Sequence, residues 1–165
     1  ANDVVELFLS QNDDKIETII NKMNSHNLAR KRIEQQNFSL IDLRKYYGKN
    51  VVFIYHKEFH EGTIGIIAAK LSQLFNKPCF IITDSKDLLK CSIRSGSNIK
   101  INRTINKLLS NKLIISGGGH AEAGGFTAKK EHLSNIKDYL KIEYENLNTK
   151  NYSYFDAFTV FPKKK

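Results

Sequence analysis

Residues 116–126, with the sequence SGGGHAEAGGF, hold the side chains and backbone groups of this chain best suited to chemistry. Five of the eleven residues are glycines, in a chain that has nine. Glycine lets the backbone turn sharply and lets its N–H groups approach an anion. His120 adds a titratable hydrogen-bond donor. The pattern predicts an anion-binding loop that includes Gly118 and Gly119. The alternative is a tight turn whose histidine only satisfies a local hydrogen bond.

Two further groups of polar residues follow apolar stretches that are typical of strands. His60 lies between the first predicted strand and the next helix, whose N-terminus would direct free N–H groups at a ligand. Ser92, Arg94 and Ser95 lie at the end of a short strand, and an arginine between hydroxyls suits a phosphate. Ligands of open α/β sheets bind at the carboxyl ends of strands. We therefore expect these groups and the glycine loop to meet there and bind phosphate, the alternative being three unrelated solvated loops.

Familiar nucleotide- and metal-binding motifs are missing from the sequence. There is no G-x-x-x-x-G-K-[ST], and no G-x-G-x-x-G follows the first strand. His120 and Glu122 match the H-x-E half of a zinc deaminase signature, but no P-C-x-x-C follows them. Four side chains could in principle bind zinc, but they lack the C-x-x-C or helical His-pair spacing of zinc sites: His56, His60, Cys79 and Cys91.

The acidic residues are scattered along the chain, whereas phosphodiester cleavage usually needs clustered carboxylates that hold two divalent metals. The sequence therefore predicts a domain that holds a substrate and binds no metal itself.

The elements that must position these residues follow from hydrophobic periodicity. Residues 13–47 are predicted to be helical, with a break near residues 24–25. Beyond residue 50, strands alternate with helices, which indicates an α/β layer structure. The predicted strands are 51–55, 79–83, 90–94 and 113–115, and the predicted helices are 64–75, 101–109 and 131–144. An alternating aromatic stretch at 152–161 predicts one more strand, the first of a following domain.

The charge balance favours a polyanionic partner. Twenty-six Lys and Arg residues against seventeen Asp and Glu residues give a net charge of +9, which favours nucleic acid first and an anionic membrane second. No apolar run approaches the ~20 residues that span a bilayer, and the first residues lack the pattern of a signal peptide. Two cysteines make no disulfide framework, so we expect a cytoplasmic protein that does not bind membranes.

Four motifs, in the same order, resemble those of the RecJ family of single-strand-specific exonucleases. Residues 59–71 (FHEGTIGIIAAKL) are similar to W-H-x-G-V-I-G-I-V-A-S-R-L, and residues 92–95 (SIRS) to S-G-R-S. Residues 118–125 (GGHAEAGG) are similar to G-G-H-A-x-A-A-G, and residues 27–34 (NLARKRIE) to the N-x-x-R-x-x-x-E of the helix that joins the two catalytic domains of the family. The chain departs from these patterns at Phe59, Ile93 and Gly124.

The resemblance implies a DHH-associated domain of the α/β class, with a central mixed β-sheet flanked by helices and preceded by a helical connecting arm. It divides the chain into a connector at 1–48, the DHH-associated domain at 49–147 and, at 148–165, the start of an oligonucleotide-binding fold. The DHH domain would precede residue 1 and would hold Mn²⁺ or Mg²⁺, with none bound by this chain. The implied partners are single-stranded DNA and these two neighbouring domains of the same protein.

The implied activity is 5′→3′ hydrolysis of single-stranded DNA in repair and recombination, which this chain alone would lack. An oligoribonuclease-like phosphodiesterase of the same superfamily and a non-catalytic nucleic-acid-binding module are the alternatives. By family analogy His60 and His120 would be catalytic and line the cleft that faces the metal centre. The residues expected to hold the 5′ end or nearby phosphates are Arg30, Ser92, Arg94, Ser95, Gly118 and Gly119.

Overall fold

The computed structural model describes residues 2–96 and 99–145, so the predicted strand at 152–161 and the predicted domain that begins at 148 lie outside the described residues. The helices are α1 (Asn2–Leu9), α2 (Asp13–Ser39), α3 (Ile64–Phe75), α4 (Ile101–Ser110) and α5 (Leu133–Glu145). The strands are β1 (Val52–Tyr55), β2 (Cys79–Ser85), β3 (Leu88–Arg94), β4 (Ser116–Gly119) and β5 (Ala123–Lys129). Short 3₁₀ turns occupy Leu43–Tyr46 and Lys130–His132.

The arm that precedes the sheet is dominated by α2, one continuous helix of 27 residues. Asn12 caps it by accepting a hydrogen bond from the backbone N–H of Lys15. The predicted break near residues 24–25 is wrong, because α2 is continuous through them; the Ser25 hydroxyl donates to the carbonyl of Lys22 within the helix. The predicted end at residue 47 is also wrong: α2 ends at Ser39.

The five strands form one sheet in the order β1–β2–β3–β5–β4. β1 and β2 are parallel, because α3 connects them as a crossover. The other three pairs are antiparallel, and β2 turns directly into β3 at Lys86, whose φ is +55°. The predicted α/β class with a mixed sheet flanked by helices is confirmed.

Each face of the sheet carries its own hydrophobic core, because alternate residues of a strand point to opposite sides. On one face α3 packs through residues such as Leu71 against β1 and β2, where Ile81 is fully buried. On the other face α4 and α5 pack against β2, β3 and β5, with Phe80, Ile105 and Leu140 fully buried. Because α3 lies over β1, β2 and part of β3, its face of the sheet is covered only in part.

The last two strands differ from the prediction. The apolar residues 113–115, expected to form a strand, lie between α4 and β4. The backbone N–H of Leu113 bonds to the carbonyl of Leu108, and Ile114 is buried in the core, so this segment closes the end of α4. The glycines expected in a loop form β4 and part of β5. β1, α3 and α4 lie within one residue of their predicted bounds.

Candidate functional site

On the side of the sheet that carries α3, β4 is exposed, and β3 and β5 are only partly covered. On β3 this surface carries Lys90, Ser92 and Arg94, whereas the residues between them belong to the core on the opposite side. The partners of these three residues on β5 are Thr127, Gly125 and Ala123. We call this surface the open face; it consists of Lys90, Ser92, Arg94, Ala123, Gly125, Thr127, Ser116 and Gly118.

Arg94 lies half-buried on the open face, and its side chain folds back along β3. Its Nη1 donates to the carbonyl of Ile93 at 2.8 Å and to the hydroxyl of Ser92 at 3.4 Å. Both groups lie against the first turn of α3, where a Cβ on Gly65 would be 3.2 Å from Ser92 Oγ and 3.6 Å from Arg94 Nη2. The bare Gly65 thus allows a helix N-terminus, a hydroxyl and a guanidinium to share one spot, a combination suited to an anion.

The expectation that the candidate residues meet at the carboxyl ends of strands is right for β3 and β4, whose ends lie together, and wrong for the loop after β1. β3 runs antiparallel to β2, so its last residue, Arg94, pairs with Cys79 at the start of β2. The loop after β1, which holds His60, lies at the opposite end of the sheet. The rule for parallel sheets does not apply to an antiparallel strand. The structure also brings Ser92 and Arg94 together along the length of β3.

The loop between β1 and α3 contacts the Lys90 end of the open face. His60 is exposed, and its Nδ1 accepts a hydrogen bond from the backbone N–H of Gly62 at 3.1 Å. The carboxylate of Glu61 accepts hydrogen bonds from the Ser85 hydroxyl at 2.9 Å and from Lys90 Nζ at 3.3 Å. These two bonds, the one from Ser85 first, hold the pKa of the Glu61 carboxyl below its usual value.

A buried hydrogen bond ties this loop to α2. Asn37 donates its side-chain amide to the hydroxyl of Thr63 at 2.9 Å, and that hydroxyl donates to the carbonyl of His60 at 2.8 Å. Asn37 and Thr63 are 5% and 2% exposed, so neither group can exchange its partner for water without local opening. One turn earlier on α2, Glu34 forms an ion pair with Lys70 of α3. The connector helix is therefore fixed to α3 at two points.

Arg30 lies one further turn back, four residues before Glu34 on the same helix. It is exposed, and no hydrogen bond or ion pair to its side chain is formed within the described ranges. The structure therefore does not bring Arg30 into contact with Arg94 or with the other predicted site residues that it describes.

The glycines of β4 and β5 have two different environments. A Cβ on Gly117 would lie 3.0 Å from Ile105 of α4, and one on Gly124 would lie 2.6 Å from the same side chain. A Cβ on Gly119 would lie 2.3 Å from the carbonyl of Ala123 across the hairpin. These three glycines are needed by the packing of the hairpin and α4. A Cβ on Gly118, on the open face, would meet nothing within 4 Å.

His120 occupies the turn between β4 and β5, beside the Arg94 end of the open face. Its backbone N–H donates to the carbonyl of Ala123 at 2.8 Å, and the residue is exposed. Ser95 is buried, and its backbone N–H donates to the carbonyl of Glu122, which holds this turn against the end of β3. His120 and His60 therefore lie at opposite ends of the open face. Lys90 and Arg94, which mark these ends, are four residues apart, or roughly 13 Å along the strand.

The side chains in the described ranges do not fit a metal ion. No three His, Cys, Asp or Glu residues of residues 2–96 and 99–145 lie close enough together to hold one. Cys79 and Cys91 are buried free thiols, and burial raises the pKa of Cys79 to about 12. Likewise, no helix in this part of the chain is long and apolar enough to cross a bilayer.

Sequence reasoning missed Lys90, Thr127 and Gly65 as neighbours of the candidate site. The alternation of polar and apolar residues in Lys90–Arg94 was the available signal, since a period of two places Lys90, Ser92 and Arg94 on one face of a strand. No comparable signal marks Gly65, because its proximity to Ser92 depends on how α3 packs on the sheet.

Comparison with known proteins identifies the domain family of this chain. The profile of a family described as the DHHA1 domain matches residues 48–146. The single-stranded-DNA-specific exonuclease RecJ of Salmonella typhimurium is 29% identical over 136 residues, which cover 76% of this chain and 24% of that protein. RecJ of Haemophilus influenzae is 25% identical over 146 residues, which cover 81% of this chain and 25% of that protein.

The chain thus spans about a quarter of the length of these relatives. A solved structure of RecJ from Thermus thermophilus in complex with Mn²⁺ matches with a TM-score of 0.78 at 18% identity, covering 87% of this chain and 21% of that one. This likeness is one of fold.

Proposed function

Because this chain belongs to the DHHA1 domain family, we propose that it is the strand-holding module of a RecJ-like exonuclease that acts on single-stranded DNA. The observation that carries the proposal is the pairing of Ser92 with Arg94 beside the bare Gly65, on a sheet face that α3 covers only in part. In this proposal the 5′ phosphate, or one close to it, binds at that pair.

The chemistry of the open face suits a single strand. The guanidinium of Arg94 and the hydroxyl of Ser92 supply charge-assisted and neutral hydrogen bonds to phosphate oxygens. Gly118 and Gly125 present no side chain on this face, so a sugar–phosphate backbone can approach the sheet closely. Lys90 adds a second cation near the far end of β3. Fixing the strand in this way orders the phosphodiester for reaction, which is the contribution of this module to catalysis.

The other predicted residues have proposed places at the margins of this surface. His60 and His120 would contact the bound DNA at opposite ends of the open face, and Arg30 would contact the same DNA from α2. Ser95 would act through its backbone by holding the His120 turn in place. The divalent metal used by the whole enzyme, Mn²⁺ or Mg²⁺, would bind outside the described ranges, in a domain supplied by the rest of the protein. We propose that residues 1–48 connect to that domain and that residues 49–147 form the module.

Fluorescence anisotropy of this chain with a 5′-phosphorylated single strand and a matched 5′-hydroxyl strand tests the proposal. We expect the phosphorylated strand to bind at least tenfold more tightly, which corresponds to ~1.4 kcal/mol. Arg94→Ala should abolish that preference, because the residue that recognises the terminal phosphate is removed. Arg103→Ala is the matched control, since Arg103 is exposed on α4 on the opposite face of the sheet.

Equal affinity for the two strands in the unmodified chain would contradict 5′-end recognition by this module. A preference for the phosphorylated strand that Arg94→Ala and Arg103→Ala reduce equally would also contradict it.

A series of substrates of increasing length tests the alternative activity within the superfamily. If the intact protein loses activity as its substrate lengthens, it is a short-oligonucleotide phosphodiesterase rather than an exonuclease of long strands.

A further inference from the structure

A cavity of about 310 Å³ lies at the β1 edge of the sheet, away from the open face. Its floor includes Val51 and Phe53, which pack against the core beneath α4 and α5. One wall is α5, and the other is the segment that runs from the 3₁₀ turn at Leu43–Tyr46 into β1. The cavity therefore lies on the opposite side of the sheet from Ser92 and Arg94. It is at the β1 edge, whereas β4 forms the other edge of the sheet.

The rim of this cavity carries three lysines. Lys137 and Lys141 are one turn apart on α5, both exposed, and Lys49 comes from the opposite wall. One acidic residue lines the cavity, Glu145, whose carboxylate is 3.8 Å from Lys141 Nζ. Lys137 and Lys141, four residues apart on one helix, repel each other; Glu145 offsets part of that charge, and a bound anion would offset more.

The interior of the cavity is aromatic and apolar. Lys49 Nζ lies 5.8 Å from the ring centre of Tyr46, so one wall already combines an aromatic face with a cation. Phe53 adds a second ring to the lining. The amide of Asn50 is held at this wall by a 3.3 Å hydrogen bond to the carbonyl of Glu145. Apolar surface with a few polar groups at the rim is typical of small-ligand sites, which range upward from ~300 Å³.

We propose that this cavity is a second ligand site, which binds one nucleotide. The phosphate would bind to Lys137 and Lys141, and the base would contact the rings of Tyr46 and Phe53. Base–aromatic contact and cationic contact with phosphate are the two interactions that single-strand sites combine. The inference does not depend on the open face, because the two surfaces share no residue.

Calorimetric titration of the chain with 5′-dAMP tests this site, with deoxyadenosine and inorganic phosphate as probes for each half of the ligand. We expect 5′-dAMP to bind at least tenfold more tightly than either probe. The double variant Lys137→Gln/Lys141→Gln should weaken 5′-dAMP binding at least tenfold. Lys112→Gln is the matched control, since Lys112 is an exposed lysine outside the cavity.

A second readout places the ligand. 5′-dAMP should shift the ring resonances of Tyr46 and Phe53 in the unmodified chain and should do so equally in Arg94→Ala. Binding that is lost in Arg94→Ala but kept in the lysine double variant would assign the nucleotide to the open face and overturn the inference. Inorganic phosphate that binds as tightly as 5′-dAMP would also overturn the inference, because the lysines alone would then account for the affinity and the base would add nothing.

Discussion

At the scale of single residues, the glycines of the β4–β5 hairpin are of two kinds. Some are required by the packing of α4, and Gly118 is exposed on the open face. Gly117 and Gly124 face Ile105, so α4 can lie directly on the hairpin of β4 and β5. Gly118 faces the other way, onto the open face, and nothing in the fold fills the space in front of it. The fold does not require a glycine at position 118, and the proposed approach of a DNA strand to this face would account for it.

Paired substitutions separate the two kinds of glycine. Gly118→Val should leave the thermal unfolding temperature unchanged, because its side chain points into open space on an exposed strand. It should lower single-strand affinity at least tenfold by blocking the approach of the backbone. Gly117→Ala should instead destabilise the fold by ~1–3 kcal/mol, because its Cβ would lie 2.9 Å from Phe126 Cβ. Thermal unfolding and anisotropy measure both effects, and full affinity in a folded Gly118→Val variant would contradict the assignment.

The types of the candidate residues could be predicted from the sequence, but their arrangement could not. Ser92 and Arg94 were recognised as an anion pair, and the structure brings them together. His60 and His120 were expected to line one cleft, which stays a prediction, and the structure places them at opposite ends of the open face. That separation depends on the direction of β3, which follows from the tight turn at Lys86. A short polar turn between two apolar runs was the available signal for an antiparallel pair.

At the scale of elements, the contact between α2 and α3 decides how the connector helix is held. Its exposed apolar residues, such as Ile20 and Leu28, find no core within the described residues. Its attachments to the sheet domain are the buried pair of Asn37 and Thr63, the ion pair of Glu34 with Lys70, and the packing of Phe38 against the core beneath α3. The sequence predicted a helical arm that packs against something, but not where, because hydrogen bonds between distant residues leave no periodic pattern.

Substitution at Thr63 tests this attachment. Thr63→Val removes the hydroxyl and leaves the buried amide of Asn37 without its partner, which should cost ~1–3 kcal/mol of unfolding free energy. Thr63→Ser keeps the hydroxyl and is the control, with a smaller loss expected. In urea denaturation, the double variant Asn37→Leu/Thr63→Val should lose less stability than the sum of the two single changes. Additive losses would indicate that the two side chains do not depend on each other.

At the scale of the whole molecule, one sheet separates two cores and couples them. β2 contributes Phe80 and Ile82 to the core beneath α4 and α5, and Cys79 and Ile81 to the core beneath α3. Neither core can lose its packing without disturbing the same strand. The alternation of strands and helices predicted this layered class from the sequence. The strand order could not be predicted in the same way, because it depends on β4, whose glycines carry no hydrophobic pattern.

Truncation of one residue in each core tests this coupling. Leu71→Ala on α3 and Leu140→Ala on α5 should each lower the free energy of unfolding by ~2–5 kcal/mol, because both side chains are fully buried. In both variants, urea unfolding should remain a single transition, with coincident curves from circular dichroism and tyrosine fluorescence. Two separated transitions in either variant would show that the cores unfold independently.

The fixed position of Arg94 also has a consequence for the thermodynamics of binding. An arginine side chain carries ~2 kcal/mol of rotamer entropy when it moves freely in solvent. Here hydrogen bonds to the carbonyl of Ile93 and the hydroxyl of Ser92 restrict that freedom during folding, before any ligand arrives. A phosphate that binds at this guanidinium therefore orders little that was mobile, and more of its interaction energy remains as affinity. In the proposed function, β3 thus holds the side chain of Arg94 in place before the phosphate binds.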